Sequence, residues 1–198
     1  MSLALIRRLV TAQWHVRATM ALWRGRAASA ERIGAAAPRR VLVVCHGNIY
    51  RSAFVAAFLQ IRVGAAIVVR SVGFHSESGR ASPERHVRMC HEVGVDLRNH
   101  RSSVITPADL AWADVVVLMD RKNWVQLRRM GAPTGKLVWL GAWAPPGGIE
   151  ISDPYGMDDA AARLLLNRLL VSSKALGDAL LRVGEDRGRL PTGRSTSA

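Results

Sequence analysis

Two rhythms of apolar and polar positions divide the chain. In the first forty residues the apolar positions Leu5, Ile6, Leu9, Val16, Met20 and Trp23 are interrupted by arginines, and Arg7 and Arg8 break the run early. The segment therefore has neither the unbroken apolar stretch of a membrane span nor the core of a secretory signal. From Val41 onward, short β-branched runs alternate with stretches of helical period, the pattern of a parallel sheet flanked by helices.

Strands are expected at 41–44, 66–72, 114–119 and 136–140. Between them, 52–63 carries Phe54, Val55, Phe58, Leu59 and Ile61 at helical spacing and stops at Gly64, a residue suited to the left-handed turn that closes a helix. Ser82 followed by Pro83 reads as an N-cap and first helical position, for a helix running to Gly94. Thr106 and Pro107 repeat that signal for a short helix through Trp112, and 121–130 forms another, ended by "GAP". The last helix, 158–183, presents Leu165, Leu166, Leu169, Leu176 and Leu180 as a stripe. No internal repeat is visible. The expected division is a basic extension over 1–38, a globular domain over 39–185 and a disordered tail over 186–198.

Charge changes the picture mainly at the N-terminus. The chain of 198 residues has a formal net charge of +13, yet residues 1–40 hold eight arginines, no lysine and one acid, Glu31. That segment is open to three readings: a helix lying on an anionic membrane surface, an extension without fixed order, or a start placed upstream of the native one. Nucleic acid is not expected as a partner, because aromatic interleaving in the basic segment is limited to Trp14 and Trp23 and no nucleic-acid motif follows. Two cysteines, Cys45 and Cys90, cannot build a disulfide framework, so a reducing cytoplasmic setting is expected.

The chemistry concentrates in "VLVVCHGNIYRS". An apolar strand delivers Cys45 to its carboxyl end, and a short loop leads through Arg51 into a helix beginning near Ser52. Open α/β sheets bind ligands at that edge. Backbone N–H groups of such a loop converge, the helix dipole adds positive potential, and a guanidinium offers a planar fork for two oxygens of a tetrahedral oxyanion. The same field favours thiolate over thiol, which makes Cys45 a candidate nucleophile rather than a buried spacer. Gly47 is read as backbone that a Cβ would obstruct, and Asn48 as a left-handed position or a brace. Ser52 is read as a donor to the sulfur. A thiolate that attacks phosphorus also needs an acid for the departing oxygen. "EISDPYG", after the fourth strand and at the same edge of the sheet, offers Asp153 with Tyr155 as an aromatic wall.

With these residues in place, the chain resembles the low-molecular-weight protein tyrosine phosphatases. "CHGNIYRS" is similar to the family's Cys-x-Gly-Asn-x-Cys-Arg-Ser loop and "DPY" to its acid loop; "SVG" at 71–73, "GVDLRNHRSS" with His100, and "LMDRKN" are weaker matches. "KLVWLGAW" and "EISDPYG" look most like the bacterial branch encoded with capsule and exopolysaccharide machinery. The resemblance implies an α/β fold of three layers, a four-stranded parallel sheet of order 2-1-3-4 flanked by helices. It implies Cys45 as nucleophile, Arg51 as binder of the equatorial oxygens and Asp153 as acid and then base. His46, Gly47, Asn48, Ile49, Tyr50 and Ser52 would form the phosphate loop, Ser71 and His100 would support it, and Tyr155 would line the mouth with His46 and Ile49. No metal or other cofactor is implied. The expected partner is a phosphotyrosine protein, a tyrosine autokinase in that branch.

Three positions depart from the family pattern. Tyr50 stands where a second loop cysteine is usual, Ala53 where proline is frequent, and Ser102 and Ser103 where an arginine often follows the histidine. Without the neighbouring thiol, oxidation of Cys45 is expected to be harder to reverse. The rival readings are an inactive phosphotyrosine-binding relative, an arsenate reductase, which would need more thiols than Cys90 alone, and a basic binding module. Trp112, Trp124 and Trp139 are expected in the core, Trp143 near the cleft, and His86 with His91 on a solvated helix face.

Overall fold

The computed structural model describes residues 3–144 and 148–189. Four parallel strands, β1 (Arg40–Cys45), β2 (Val68–Gly73), β3 (Val115–Leu118) and β4 (Leu137–Trp139), form one sheet in the order β2-β1-β3-β4. The helices are α1 (Leu3–Trp23), α2 (Gly25–Ala36), α3 (Arg51–Val63), α4 (Glu84–Glu92), α5 (Pro107–Trp112), α6 (Arg121–Arg129) and α7 (Asp159–Arg189). The expected strand order and class are those observed.

Both faces of the sheet are covered, so β1 from Val41 and the whole of β3 are apolar, and side-chain alternation sorts them into two cores. Val41, Val43, Val115 and Val117 pack with Phe54 and Leu59 of α3 and Leu169 and Leu176 of α7. Leu42, Val44, Val116 and Leu118 face the other way, onto Leu110 of α5 and Trp124 and Leu127 of α6. The side chains of Trp124 and Trp139 lie in this second core as expected. Trp112 is half-buried, with the Arg70 guanidinium 4.2 Å from its ring centre.

Several boundaries moved for local reasons. The strand expected from residue 66 begins at Val68, because a 3-10 turn over Gly64–Ala66 follows the left-handed Gly64 (φ 59°). Ser82 does not cap α4: Pro83 is extended (φ −57°, ψ 139°), the helix starts at Glu84, and the buried Ser82 hydroxyl has no hydrogen-bond partner among the described residues. Thr106 does cap α5, through a reciprocal box with Asp109. His86 is buried rather than solvated, because α4 turns it toward the loop between β1 and α3, where its Nε2 lies 3.3 Å from Tyr50 O. Trp143 packs into the α3–α7 core instead of walling the cleft.

The arginine-rich segment read as an extension is helical. α2 covers the open edge of β4: the Ser29 hydroxyl accepts the Trp139 N–H (3.1 Å), and Arg32 and Arg26 donate to the carbonyls of Leu137 and Ala142. Backbone groups that an edge strand would expose are thereby paired. α1 packs on α6, with Trp14 edge-on to Trp124 at 6.3 Å and Ala18 fully buried. At the other end α7 runs through Arg189, so the first four residues of the expected tail are helical; 190–198 lies outside the described residues.

Candidate active site

The carboxyl edge of the sheet gathers the site from three strands. β1 ends at Cys45, 2% exposed, β3 is followed closely by Asp120, and the loop after β4 is tied to the end of β3 by the Ile151 N–H donating to Met119 O at 2.8 Å. Between Cys45 and α3 the loop folds around Asn48, which takes the left-handed conformation (φ 51°) and is fully buried. Its backbone N–H points at Cys45 Sγ (3.2 Å), its side-chain amide donates to Ser52 Oγ and Ser71 Oγ (2.9 Å each), and its Oδ1 accepts the Ser103 N–H (2.8 Å). His100 Nε2 donates to the Asn48 carbonyl at 2.7 Å. Ser52 Oγ lies 3.0 Å from the sulfur, placed to donate once that sulfur is a thiolate.

Gly47 differs from its sequence reading. A Cβ there would make only ordinary contacts, and the left-handed position belongs to Asn48. The tight approach falls instead at Gly73, where a Cβ would come within 2.8 Å of His46 O and 2.9 Å of Asn48 N. Glycine at 73 is what lets β2 press against the loop.

Arg51 is 1% exposed and held by acceptors across the edge. Nη1 donates to Asp120 (2.7 Å) and to Ile151 O (3.0 Å), Nη2 pairs with Asp153, and Nε has no protein acceptor among the described residues. Burial pulls the guanidinium pKa down, but Cys45, Asp153 and Asp120 outweigh it and leave the pKa above that of an ordinary arginine. The Nε N–H and the second hydrogen on Nη2 of a buried, permanently charged group are thus left for an anion's oxygens. Asp153 is 40% exposed at its side chain, and its second oxygen accepts the Tyr155 N–H at 3.2 Å. A cavity of about 520 Å³ opens above the sulfur, walled by Ile49, Tyr50 and Tyr155 as well as by His46, Arg51 and Asp153.

α4 braces two loops. His86 Nε2 donates to Tyr50 O (3.3 Å), and the two rings lie 4.9 Å apart; burial pushes the imidazole pKa down to about 4. Arg85 donates to the carbonyls of Met157 and Asp158 at 2.9 and 2.8 Å and pairs with Asp159. Cys90 is fully buried, its sulfur 3.4 Å from His86 Nε2, and burial pushes its thiol pKa up to about 12, which ill suits a second redox thiol.

A thiol that accepts the Asn48 N–H, a buried guanidinium and a carboxylate across one cleft match a known pattern. A family model described as low molecular weight phosphotyrosine protein phosphatase matches residues 40–184. The chain belongs to that family. Among its relatives, a Ralstonia nicotianae protein named "Probable low molecular weight protein-tyrosine-phosphatase EpsP" is 32% identical over 119 residues, 59% of this chain and 79% of that one. A protein-arginine-phosphatase of Geobacillus stearothermophilus is 28% identical over 121 residues, 60% of this chain and 80% of the other. The crystal structure of the tyrosine phosphatase Wzb from Escherichia coli K30 with sulphate superposes with a TM-score of 0.66 at 28% identity, covering 72% of this chain and 99% of that one.

Within this family frame, Tyr50 places its ring against His86 rather than a thiol beside Cys45, and Ala53 is buried in the core. The Ser102–Ser103 segment reaches the loop through the Ser103 N–H. Asp120 was given no role by the sequence, although it lies within the "LMDRKN" match and follows an apolar strand at the same edge as Cys45. Sequence reasoning also missed His75, Arg80, Arg85 and His86, for which spacing gave no signal.

Proposed function

We propose that this chain is a tyrosine phosphatase working through a cysteinyl-phosphate. The observation carrying the reading is the convergence of Cys45 Sγ, the Asn48 N–H, Ser52 Oγ and the buried Arg51 at one point, with Asp153 across from them. The Cys45 thiolate attacks phosphorus, forming an S–P bond as the P–O bond to the tyrosine breaks; protonated Asp153 gives its proton to the phenolate oxygen. Asp153, now a carboxylate, takes a proton from water as that water attacks phosphorus. The S–P bond breaks, inorganic phosphate leaves and the thiolate returns. Arg51 and the loop N–H groups hold the equatorial oxygens as charge develops on them. Tyr155 and Ile49 give the cleft an apolar mouth that suits an aryl group. The likeness of the 136–156 segment to the exopolysaccharide-associated branch supports a cytoplasmic enzyme acting on a bacterial tyrosine kinase.

The deciding experiment is hydrolysis of an aryl phosphate near pH 6, with a phosphotyrosine peptide and a phosphoarginine peptide in parallel. Turnover of both tyrosyl-type substrates, loss with Cys45→Ser by about five to six orders of magnitude, and turnover of phosphoarginine at least roughly tenfold slower support the reading. Absence of turnover by reduced protein that still binds vanadate overturns it in favour of a phosphotyrosine-binding relative.

The basic N-terminus carries a second, separable proposal of contact with anionic lipid. No described helix is long and apolar enough to cross a membrane. On α1, however, Val16, Met20 and Trp23 are 55%, 65% and 88% exposed at spacings of four and three, beside the exposed Arg17 and Arg24. Co-sedimentation with phosphatidylglycerol vesicles, lost in Met20→Glu/Trp23→Glu and absent with phosphatidylcholine, is expected; equal pelleting of the variant would rule the contact out.

A further inference from the structure

The wall of the active-site cavity that β2 leads into is cationic, and no part of the hydrolysis above uses it. Arg80, His75 and His46 line the same cavity as Cys45 and Asp153. The two imidazoles meet edge to face at 6.1 Å. Arg80 Nη2 donates to Gly47 O at 2.6 Å, across 33 positions of sequence, and Nε donates to Glu77 O at 3.3 Å. Both acceptors are backbone carbonyls. Among the described residues no carboxylate lies within ion-pairing distance of Arg80, whereas Arg51 has two. Glu77 is the nearest acid in sequence; its side chain is exposed and lies outside the cavity walls.

The backbone that presents Arg80 is fixed. Its N–H donates to Ser102 Oγ at 3.0 Å, its carbonyl accepts the Ser102 N–H at 2.9 Å, and Ala81 forms an antiparallel bridge with Arg101. A guanidinium held this way loses little freedom when it meets an anion, and its charge has no local counter-charge. The cavity, about 520 Å³, extends from the sulfur to this wall.

We propose that Arg80, with His75 and His46, forms a subsite for a second anionic group on the substrate, a carboxylate or another phosphoryl group flanking the phosphotyrosine. The proposal rests on the phosphatase reading for the orientation of the peptide. It makes doubly anionic phosphotyrosine segments the preferred substrate class. The neutral mouth formed by Ile49 and Tyr155 takes the ring, and the cationic wall takes the neighbouring charge.

The test uses binding, so that it stands apart from turnover. Four fluorescent phosphotyrosine peptides, alike except for Glu, Gln, Lys or a second phosphotyrosine beside the scissile one, are titrated into full-length Cys45→Ser and Cys45→Ser/Arg80→Ala. Expected is a preference for the Glu peptide over the Lys peptide of about tenfold, the size of one partly screened contact to a charged group. The doubly phosphorylated peptide should bind at least as tightly as the Glu peptide, and the Arg80→Ala background should flatten the ratios to within about twofold. Preference for Glu alone assigns the subsite to carboxylates, and preference for the second phosphate alone assigns it to phosphoryl groups; either supports the site. Equal binding of all peptides, or ratios unchanged by Arg80→Ala, overturns it. Equal weakening of every peptide also overturns it, since Arg80 would then act only by bracing Gly47. Should Arg80→Ala fail to fold, Arg80→Gln and His75→Gln are read by the same ratios. Aryl phosphate turnover by wild type, measured alongside, reports on the phosphatase reading separately.

Discussion

The phosphate loop and the acid loop face each other across one cleft and are built in opposite ways. Asn48, Arg51 and Ser52 are no more than 1% exposed, and the loop is braced by Ser71, His86, His100 and Ser103 from three other segments. The acid loop leaves Tyr155 82% exposed and Asp153 40% exposed, and is fastened to the end of β3 through Ile151, to Arg51 through Asp153, and where it enters α7 through Arg85. The contrast suits the two tasks. An oxyanion cradle must be preorganised, because its donors act only if they need no reorganisation as charge develops. A proton donor must reach the leaving oxygen and then a water, which asks for placement with some freedom.

Asp153→Ala breaks the contrast on the exposed side with the largest expected effect. kcat for phenyl phosphate should fall by about 10²–10⁴, and far less for a dinitrophenyl ester that needs no acid. Stability to urea should also fall, by about 1–3 kcal/mol, because Asp153 is itself partly exposed but its loss takes one of the two carboxylates from the buried Arg51. Asn48→Ala strikes the buried side. It strips partners from the Ser103 N–H, Ser52 and Ser71 and puts alanine at a positive φ, so urea unfolding should show a loss on the order of 3 kcal/mol together with lost activity.

Acid should also act on the buried loop. His86 has a folded pKa of about 4, below the ordinary 6.5, so between those values the unfolded chain binds more protons than the folded one. Stability contributed by neutral His86 is complete above about pH 6.5 and is lost as pH falls toward 4. The loss is on the order of 2–3 kcal/mol. Urea midpoints from pH 7 to 4 should drop more steeply in wild type than in His86→Asn. The smallest effect belongs to Arg85→Ala, which frees one end of the acid loop. kcat for phenyl phosphate should fall by about three- to tenfold, with the dinitrophenyl ester nearly unaffected and Arg85→Lys partly restoring the loss. Equal losses on both esters would mean that Arg85 serves folding rather than the placement of Asp153.

Local rules were enough for much of this. The apolar run 41–44 before Cys45, the Thr106–Pro107 start and the Gly64 stop each state their structure within a few residues, because propensity, capping and side-chain period act over one or two turns. The Cys45–Arg51–Ser52 spacing likewise placed the anion loop at a strand end, and "DPY" located the acid loop. Ser82 misled for an equally local reason: proline was tolerated as an extended cap rather than as the first helical residue.

The sequence by itself therefore determined the elements from β1 onward, the candidate anion loop and the candidate nucleophile, arginine and acid, but not α1 and α2 as packed helices. Only the tertiary structure decided that Ser29 closes the β4 edge 110 positions away, that Asp120 holds Arg51 across 69 positions, and that Arg80 leans on Gly47 across 33. It also decided that His86 is buried and Gly73, not Gly47, is the close approach. These pairings depend on which strand lies beside which, and a window along the chain carries no information about the neighbour that the sheet order brings to it.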